Sequence, residues 1–277
     1  MKLSEYNHTK TGDGRPGLPD QLLHKRYLLK DGQGQVIENP RQMFMRVARA
    51  IASQEAAFGA SPGKVQSIAR KFFCMMARGL FLPNSPTLMN AGRPDGLLSA
   101  CFVLGIDDSI EGIFETVKQT ALVQKAGGGT GFAYDSLRPA GDYVATSGGR
   151  TSGPISFWRV FAEATNAIQQ GAHRRGANMG MMSIEHPDVL SFISAKENPG
   201  EFTNFNISVK IPDAFMAALE KEPDSPHVVI NARDGWKYHI PRSVEIGKYV
   251  LQDLVPVDQA SSRCYTVRQI FAGDNYQ

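Results

Sequence analysis

The chain has 277 residues, of which 42% are hydrophobic and 21% charged, and its formal net charge is +3 at pH 7. These values indicate an ordinary soluble globular protein of one large or two smaller domains, and so small a charge does not by itself indicate nucleic-acid binding. No apolar run approaches the roughly 20 residues of a membrane span, and the first residues lack a signal-peptide core. The three cysteines favour a reducing, cytoplasmic compartment over a disulfide scaffold.

The first part of the chain is predicted to be helical. Residues 22–29 could form a helix or a strand. Apolar residues then recur at helical spacing on one face from Pro40 and on another from Val65. Cys74 lies within the second of these helices and is expected to be packed in its core.

One cysteine lies between two polar segments. Residues 84–96 are interpreted as a loop punctuated by glycine and proline, and residues 97–106 as a buried strand that carries Cys101. A lone cysteine in a strand is usually a packing residue, but the polar residues on both sides favour a reactive or ligand-facing thiol here. Residues 108–111 resemble a capping box, with Asp108 first and a glutamate closing the turn. The helix behind them carries one apolar stripe, formed by Ile110, Ile113, Phe114, Val117 and Ala121.

Strands and helices alternate after this helix, which ends at a glycine run at residues 127–131. The predicted elements are, in chain order, a strand at 132–137, a helix from Pro154, a strand at 181–184, a helix at 187–195, a strand at 205–210 and a helix at 212–221. The tail from residue 222 is interpreted as irregular, with one strand at 228–231 and a helix at 266–272. This alternation predicts a mostly parallel α/β sheet or barrel behind an N-terminal helical layer.

Several polar groups could bind a ligand, and each has a purely structural alternative. The glycine run can bring backbone amides to a phosphate or a sugar, or it can form a tight turn. It matches neither the Walker loop nor the dinucleotide fingerprint. Arg174 and Arg175 could pair with phosphates or lie in a solvated turn, and Asp108 could accept from a ribose hydroxyl or cap its helix. His173 and His186 have no second ligand at metal spacing, so no metal site is predicted.

Six runs of the sequence, taken together and in this order, resemble the catalytic chain of ribonucleotide reductase. The resemblance is greatest to the adenosylcobalamin-dependent class II enzymes, and it covers residues 40–221 strongly. The runs are PNSPTLMNAG at 83–92, LSACFVL at 98–104, DSIEG at 108–112, GGGTG at 127–131, SLRPAG at 136–141 and RRGANMG at 174–180.

The resemblance implies both a fold and a reaction. The fold would be an N-terminal helical region at residues 1–83, the first half of a ten-stranded α/β barrel at 84–221 and an incomplete barrel tail at 222–277. In the reaction, hydrogen replaces the ribose 2′-hydroxyl. A thiyl radical takes the 3′ hydrogen, a cysteine pair supplies the reducing equivalents and a glutamate handles the 3′-hydroxyl proton. In class II enzymes, homolysis of the cobalt–carbon bond of adenosylcobalamin generates the thiyl radical.

Residue by residue, the resemblance makes Cys101 the first cysteine of the reducing pair. The positions that match substrate contacts are Ser85, Ala100, Cys101 and Gly129. The positions that match the allosteric site for a deoxynucleoside triphosphate are Asp108, Ser109, Arg138, Arg174 and Arg175. Residues 169–178 match the loop that relays effector identity to substrate choice, and helices 111–126 and 154–169 would pack against their twofold mates in a homodimer.

Two features of the family pattern are missing from this sequence. These are the Asn-Pro-Cys-Gly-Glu loop with the radical cysteine, whose neighbours Cys264 lacks, and the second cysteine of the reducing pair. We therefore expect a split reductase, completed by a C-terminal half on a second polypeptide and re-reduced by a thioredoxin-type protein. A non-catalytic nucleotide-binding remnant, a truncated reading frame and a class I chain remain alternatives. The sequence does not distinguish a diphosphate from a triphosphate substrate, and no membrane or nucleic-acid partner is expected.

Overall fold

The computed structural model describes residues 18–94, 96–168, 176–259 and 263–272. By their internal contacts the described residues form two compact units. The first runs to Cys101 and includes residues 126–128, and the second contains the other described residues. In these ranges no helix is both long and apolar enough to cross a bilayer. The proposed domain limits at residues 83 and 221 stay a prediction.

The first unit is helical, as the sequence predicts. Helix α2 begins with a capping box in which the Asn39 side chain accepts from the Gln42 amide at 3.0 Å and the Gln42 side chain accepts from the Asn39 amide at 2.8 Å. The buried side chains between the helices include Met43, Val47 and Met76. The helices of this unit are α1 at Leu18–Leu22, which continues as a π-helical turn at Leu23–Tyr27, α2 at Pro40–Ala52, which continues as a 3₁₀ turn at Ser53–Phe58, α3 at Pro62–Ala77 and α4 at Ser85–Asn90.

Two predictions for the first unit are wrong. Cys74 is exposed on α3 rather than packed in the core, because the buried positions of that helix are Ala69 and Met76. The segment interpreted as a loop contains α4, whose first turn is capped by the Asn84 side chain, which accepts from the Thr87 amide at 2.9 Å.

The second unit is built on a four-stranded sheet with the order β1-β2-β5-β6, in which β2 and β5 pair in parallel, as do β5 and β6. The strands are β1 at Cys101–Leu104, β2 at Gly129–Ala133, β3 at Tyr143–Val144, β4 at Gly149–Arg150, β5 at Asn178–Ser183, β6 at Phe205–Lys210, β7 at Val229–Ile230, β8 at Lys237–His239 and β9 at Val255–Pro256. The helices are α5 at Ile110–Lys125, α6 at Pro154–Ala167, α7 at Val189–Ser194, α8 at Asp213–Lys221 and α9 at Val267–Ala272. A helical first unit followed by this parallel α/β region confirms the predicted fold class.

The helices of the second unit cover the sheet with an aromatic core. Trp158 on α6 is fully buried and stacks on Phe202, with ring centroids 3.7 Å apart. Phe132 on β2 lies against Phe161 on α6, with ring centroids 4.7 Å apart. Because side chains of this size bury more than 150 Å² each, these contacts fix the position of α6 on the sheet.

Three details of the second unit differ from the predictions. Strand β1 is not buried, because Cys101 and Val103 lie exposed on one of its faces. The tail is not irregular, since β7, β8 and β9 form an antiparallel sheet. The apolar stripe of α5 is split, because Ile113 is buried whereas Ile110 and Phe114 are about half exposed, at 58% and 50%.

Candidate functional site

The first unit holds three of the residues assigned to substrate contact: Ser85, Ala100 and Cys101. Ser85 is exposed at the start of α4, and its hydroxyl lies 3.0 Å from the Tyr27 hydroxyl. The segment that leads to Ala100 and Cys101 is fixed to α4, because the Thr87 hydroxyl donates to the Leu98 carbonyl at 3.0 Å.

A second bond, from the Asn90 side chain to the Leu97 carbonyl at 2.8 Å, fixes the same segment. Ala100 is half-buried, and the Cys101 thiol is free and exposed at the first residue of β1. The thiol is therefore accessible to a substrate or to a second cysteine.

Gly129, the fourth residue assigned to substrate contact, belongs to the second unit. It is buried at the first position of β2, directly after the glycines that end α5. The neighbouring Thr130 amide donates to the Ala177 carbonyl at 3.3 Å, and Thr130 is in register with Asn178 on β5. The glycine run therefore forms a helix-to-strand turn, which is the structural alternative weighed above, and its substrate role stays a prediction.

The second unit brings together Asp108 and Arg138, which are 30 residues apart in the sequence. The Arg138 Nε donates to Asp108 Oδ2 at 2.7 Å, and the Arg138 backbone amide donates to Oδ1 at 3.3 Å. A third donor, Nη1 of Arg138, bonds the Tyr143 carbonyl at 3.0 Å. Both side chains remain about one quarter exposed, at 26% and 22%, so each can still contact a ligand.

Ser109, not Asp108, caps helix α5. The Ser109 hydroxyl accepts from the Gly112 amide at 3.0 Å, so the predicted capping box that opens with Asp108 is wrong. The physical reason is that the Asp108 carboxylate is turned to Arg138. Helix capping therefore does not account for Asp108.

An ion pair between the buried Asp142 and the more exposed Arg233, which the sequence interpretation missed, supports the loop after Arg138. The Asp142 carboxylate accepts from Arg233 Nε at 2.7 Å and Nη2 at 2.8 Å, and from the Asn231 side chain at 3.2 Å. Burial opposes ionisation of Asp142, but the bonds from Arg233, the Tyr143 amide and Asn231 outweigh it and lower the pKa of this carboxyl. The partners are 91 residues apart, and no sequence signal connects them.

The remaining predicted residues of the effector site, Arg174 and Arg175, lie outside the described residues, as does most of the relay segment 169–178. The two helices predicted to form a dimer are α5 and α6. Helix α5 carries a partly exposed apolar stripe on its outer face, formed by Ile110, Phe114 and Leu122, which is 58% exposed. The role of both helices in a dimer stays a prediction.

The buried histidines of the second unit are engaged in contacts with the backbone. Three histidines in the second unit are buried, and each bonds a backbone carbonyl through a ring nitrogen: His186 to Leu137 at 2.9 Å, His227 to Ile184 at 2.7 Å and His239 to His227 at 2.7 Å. Within the described ranges, no group of three or more His, Cys, Asp or Glu side chains could hold a metal ion.

Two family models match most of the chain. Residues 20–96 match the model described as "Ribonucleotide reductase, all-alpha domain", and residues 99–250 match "Ribonucleotide reductase, barrel domain". The boundary between the two matches falls just before Cys101 and close to the limit between the two compact units.

Curated relatives agree with these matches. A "Vitamin B12-dependent ribonucleoside-diphosphate reductase" of Mycobacterium tuberculosis is 45% identical over 215 residues, which cover 77% of this chain and 30% of the relative. One of the same name from Thermoplasma acidophilum is 40% identical, with coverage of 73% and 33%. A "Ribonucleoside-diphosphate reductase large subunit" of Trypanosoma brucei brucei is 32% identical, with coverage of 72% and 24%. The chain thus spans a quarter to a third of the length of these relatives.

Proposed function

Because this chain belongs to the ribonucleotide reductase family, we propose that it supplies the substrate- and effector-binding part of a reductase that converts ribonucleotides to deoxyribonucleotides. The observation that carries the proposal is the free, exposed thiol of Cys101 at the first residue of β1, inside the stretch that matches the barrel domain. The names of the relatives favour a ribonucleoside diphosphate as the substrate.

Cys101 is proposed to act as a reductant. Its thiol and a second thiol from the rest of the barrel each give one electron and one proton. With these two electrons and two protons, hydrogen replaces the 2′-hydroxyl group, the hydroxyl leaves as water, and the two cysteines form a disulfide. A thioredoxin-type dithiol then returns the disulfide to two thiols by exchange. An exposed thiol is accessible to both reactions, whereas a buried one such as Cys264 is not.

Adenosylcobalamin is the proposed source of the radical. The support is that the relatives at 45% and 40% identity are named vitamin B12-dependent, whereas the large subunits named without that cofactor are 32–35% identical. When bound, adenosylcobalamin supplies the radical that starts the reaction. A class I chain is the alternative.

Asp108, Ser109 and Arg138 are proposed to bind the deoxynucleoside triphosphate effector, together with Arg174 and Arg175. The Asp108 carboxylate would accept a hydrogen bond from the sugar hydroxyl, and the Arg138 guanidinium has further N–H groups to donate to phosphate oxygens. The partly exposed apolar stripe of α5 begins one residue after Ser109. A homodimer that covers this stripe would therefore place the effector site at its interface.

The proposed location is the cytoplasm, because all three cysteines are free thiols and such thiols persist in reducing compartments. The rest of the reductase, on a longer chain or on a second polypeptide, supplies the radical cysteine and the second reducing cysteine.

A turnover assay tests the proposal. The chain is combined with a polypeptide that carries the rest of the barrel, adenosylcobalamin and a dithiol, and the formation of deoxynucleotide is followed for each ribonucleoside diphosphate. We expect activity in the combination, abolished by Cys101→Ser but retained in Cys74→Ser, which removes another exposed thiol of the first unit. Deoxynucleotide binding without turnover in any combination would instead support a non-catalytic nucleotide-binding protein.

A further inference from the structure

Helix α5 has a polar inner face. Thr116, Thr120 and Gln124 are all buried there, with Thr120 and Gln124 fully so. Buried polar side chains are uncommon unless they are hydrogen-bonded. The two threonines bond backbone carbonyls of their own helix or the turn before it, but Gln124 reaches across to other elements.

The Gln124 side-chain amide is the centre of a buried cluster, the Gln124 hub, which we define as Gln124, Thr130, Thr165 and Asn178. Gln124 Nε2 lies 2.8 Å from Asn178 Oδ1, 3.2 Å from Thr165 Oγ1 and 3.3 Å from Thr130 Oγ1. Thr130 also donates to Asn178 Oδ1 at 2.6 Å, and Asn178 Nδ2 donates to Thr165 at 3.0 Å. The hub therefore joins α5, β2, α6 and β5 through side chains alone.

The members of the hub lie next to the residues proposed to bind nucleotides. Thr130 directly follows Gly129, the proposed substrate contact on β2. Asn178 is the first residue of β5 and the last of the segment 169–178 that the resemblance assigns to effector relay. Helix α5 begins at Ile110, directly after Asp108 and Ser109, and Gln124 follows 14 residues later, which is about 21 Å along a helix.

Gly176 is packed onto the same hub. A Cβ atom at this position would lie 2.5 Å from Thr165 Cγ2 and 3.3 Å from Gln124 Oε1, so the backbone here approaches as closely as only glycine permits. Among the described residues, Gln124 Oε1 has no hydrogen-bond donor although it is fully buried.

We propose that Gln124 is a positioning residue that couples effector occupancy to substrate affinity. It holds Thr130, and with it the substrate-side turn at Gly129, in register with Asn178 and Gly176 at the end of the relay segment. The inference rests on the proposed function. It goes beyond it by assigning the coupling to a buried amide that contacts neither nucleotide in the proposed sites.

The test is equilibrium binding of each ribonucleoside diphosphate to the chain assembled with the polypeptide that carries the rest of the barrel, with and without each of the four deoxynucleoside triphosphates. In wild type we expect at least one effector to change the affinity for at least one ribonucleoside diphosphate about fivefold or more, which is the usual range of allosteric coupling. Gln124→Met keeps the side-chain length but removes the amide. We expect the effector to change substrate affinity less than twofold in this variant. Effector affinity alone should stay within twofold, because Asp108 and Arg138 are untouched.

Thr120→Val is the matched control. Thr120 is equally buried on the same helix but bonds only the Thr116 carbonyl, so its variant should be destabilised and yet keep the coupling. Thr165→Val, which removes two bonds of the hub, serves as the second variant if Gln124→Met does not fold, and should also lose coupling. Full coupling in the hub variants, or equal loss in Thr120→Val, would overturn the inference. A wild-type assembly that binds no nucleotide would instead refute the proposed function.

Discussion

His227 allows a sharp prediction about stability. Its ring is buried, donates from Nε2 to the Ile184 carbonyl at 2.7 Å and packs edge-on against Phe215, with ring centroids 5.4 Å apart. Burial lowers the pKa of this imidazole to about 4, against an ordinary value of 6.5; the Ile184 contact opposes the shift and the charge of His239 adds to it. The tail at His227 is thereby fixed to the end of β5 by a neutral side chain.

The consequence for folding follows from the two pKa values. The folded pKa lies below the unfolded one, so the unfolded state binds the proton more tightly, and the contribution to stability is complete above pH 6.5 and lost as the pH falls toward 4. At pH 5 the solution lies 1.5 pH units below the pKa of the unfolded imidazole but above that of the folded one, so the proton is taken up mainly by the unfolded state. At 1.36 kcal/mol per unit this gives a loss of about 2 kcal/mol relative to neutral pH.

Urea unfolding at pH 7 and pH 5 measures this loss. We expect the free energy of unfolding of wild type to fall by about 2 kcal/mol more than that of His227→Gln, since other titrating groups are common to both proteins and cancel in the comparison. His24→Gln, at an exposed position, is the control and should behave as wild type. Equal losses in wild type and His227→Gln would show that His227 is protonated or solvated in the fold, and would refute the reasoning.

Three further predictions concern the second unit. Arg138→Gln removes the ion pair with Asp108 and a charged phosphate ligand, and should weaken deoxynucleoside triphosphate binding about tenfold, or about 1.4 kcal/mol, by titration calorimetry; unchanged affinity would exclude Arg138 from the site. Gly153→Ala should destabilise the fold by about 1–3 kcal/mol, because φ is +79° and the Cβ would lie 2.7 Å from Ala140; a wild-type urea midpoint would contradict this. Trp158→Ala, at a fully buried position, should cost about 3–5 kcal/mol, and an effect below 1 kcal/mol would show that the core is misplaced.

Long periodic elements could be predicted from the sequence. The strand predicted at residues 205–210 coincides with β6, and the helix predicted to begin at Pro154 is α6, since proline is favoured in a first helical turn and the apolar residues behind it recur at helical spacing. These are features that one stretch of chain determines by itself.

Short elements could not be predicted in the same way. Helix α4 has six residues and lies between prolines and glycines. These turn-forming residues favour a loop, and six residues are too few to show helical periodicity. Strands β7 to β9 have two or three residues each, too few for any alternation to show. Asn84 before Pro86 was nonetheless a capping signal that would have located α4.

The polar contacts of the site depend on residues that are distant in sequence. Asp108 forms an ion pair with Arg138 instead of capping α5. Asp142 forms an ion pair with Arg233, which lies in the part of the chain after residue 222 where no motif was identified. The buried face of α5 carries Gln124 as well as the apolar Ile113, and hydrogen bonds across 41 and 54 residues satisfy most of the Gln124 amide. Pairings of this kind are decided by the fold.

The redox state of Cys101 during one turnover tests the account most directly. The chain, assembled with the rest of the barrel and adenosylcobalamin but without external dithiol, is given one equivalent of ribonucleoside diphosphate, and its thiols are alkylated and mapped by mass spectrometry. We expect one disulfide containing Cys101 for each deoxynucleotide formed, with Cys74 and Cys264 still free. Deoxynucleotide formed while Cys101 remains a free thiol would contradict the proposed function.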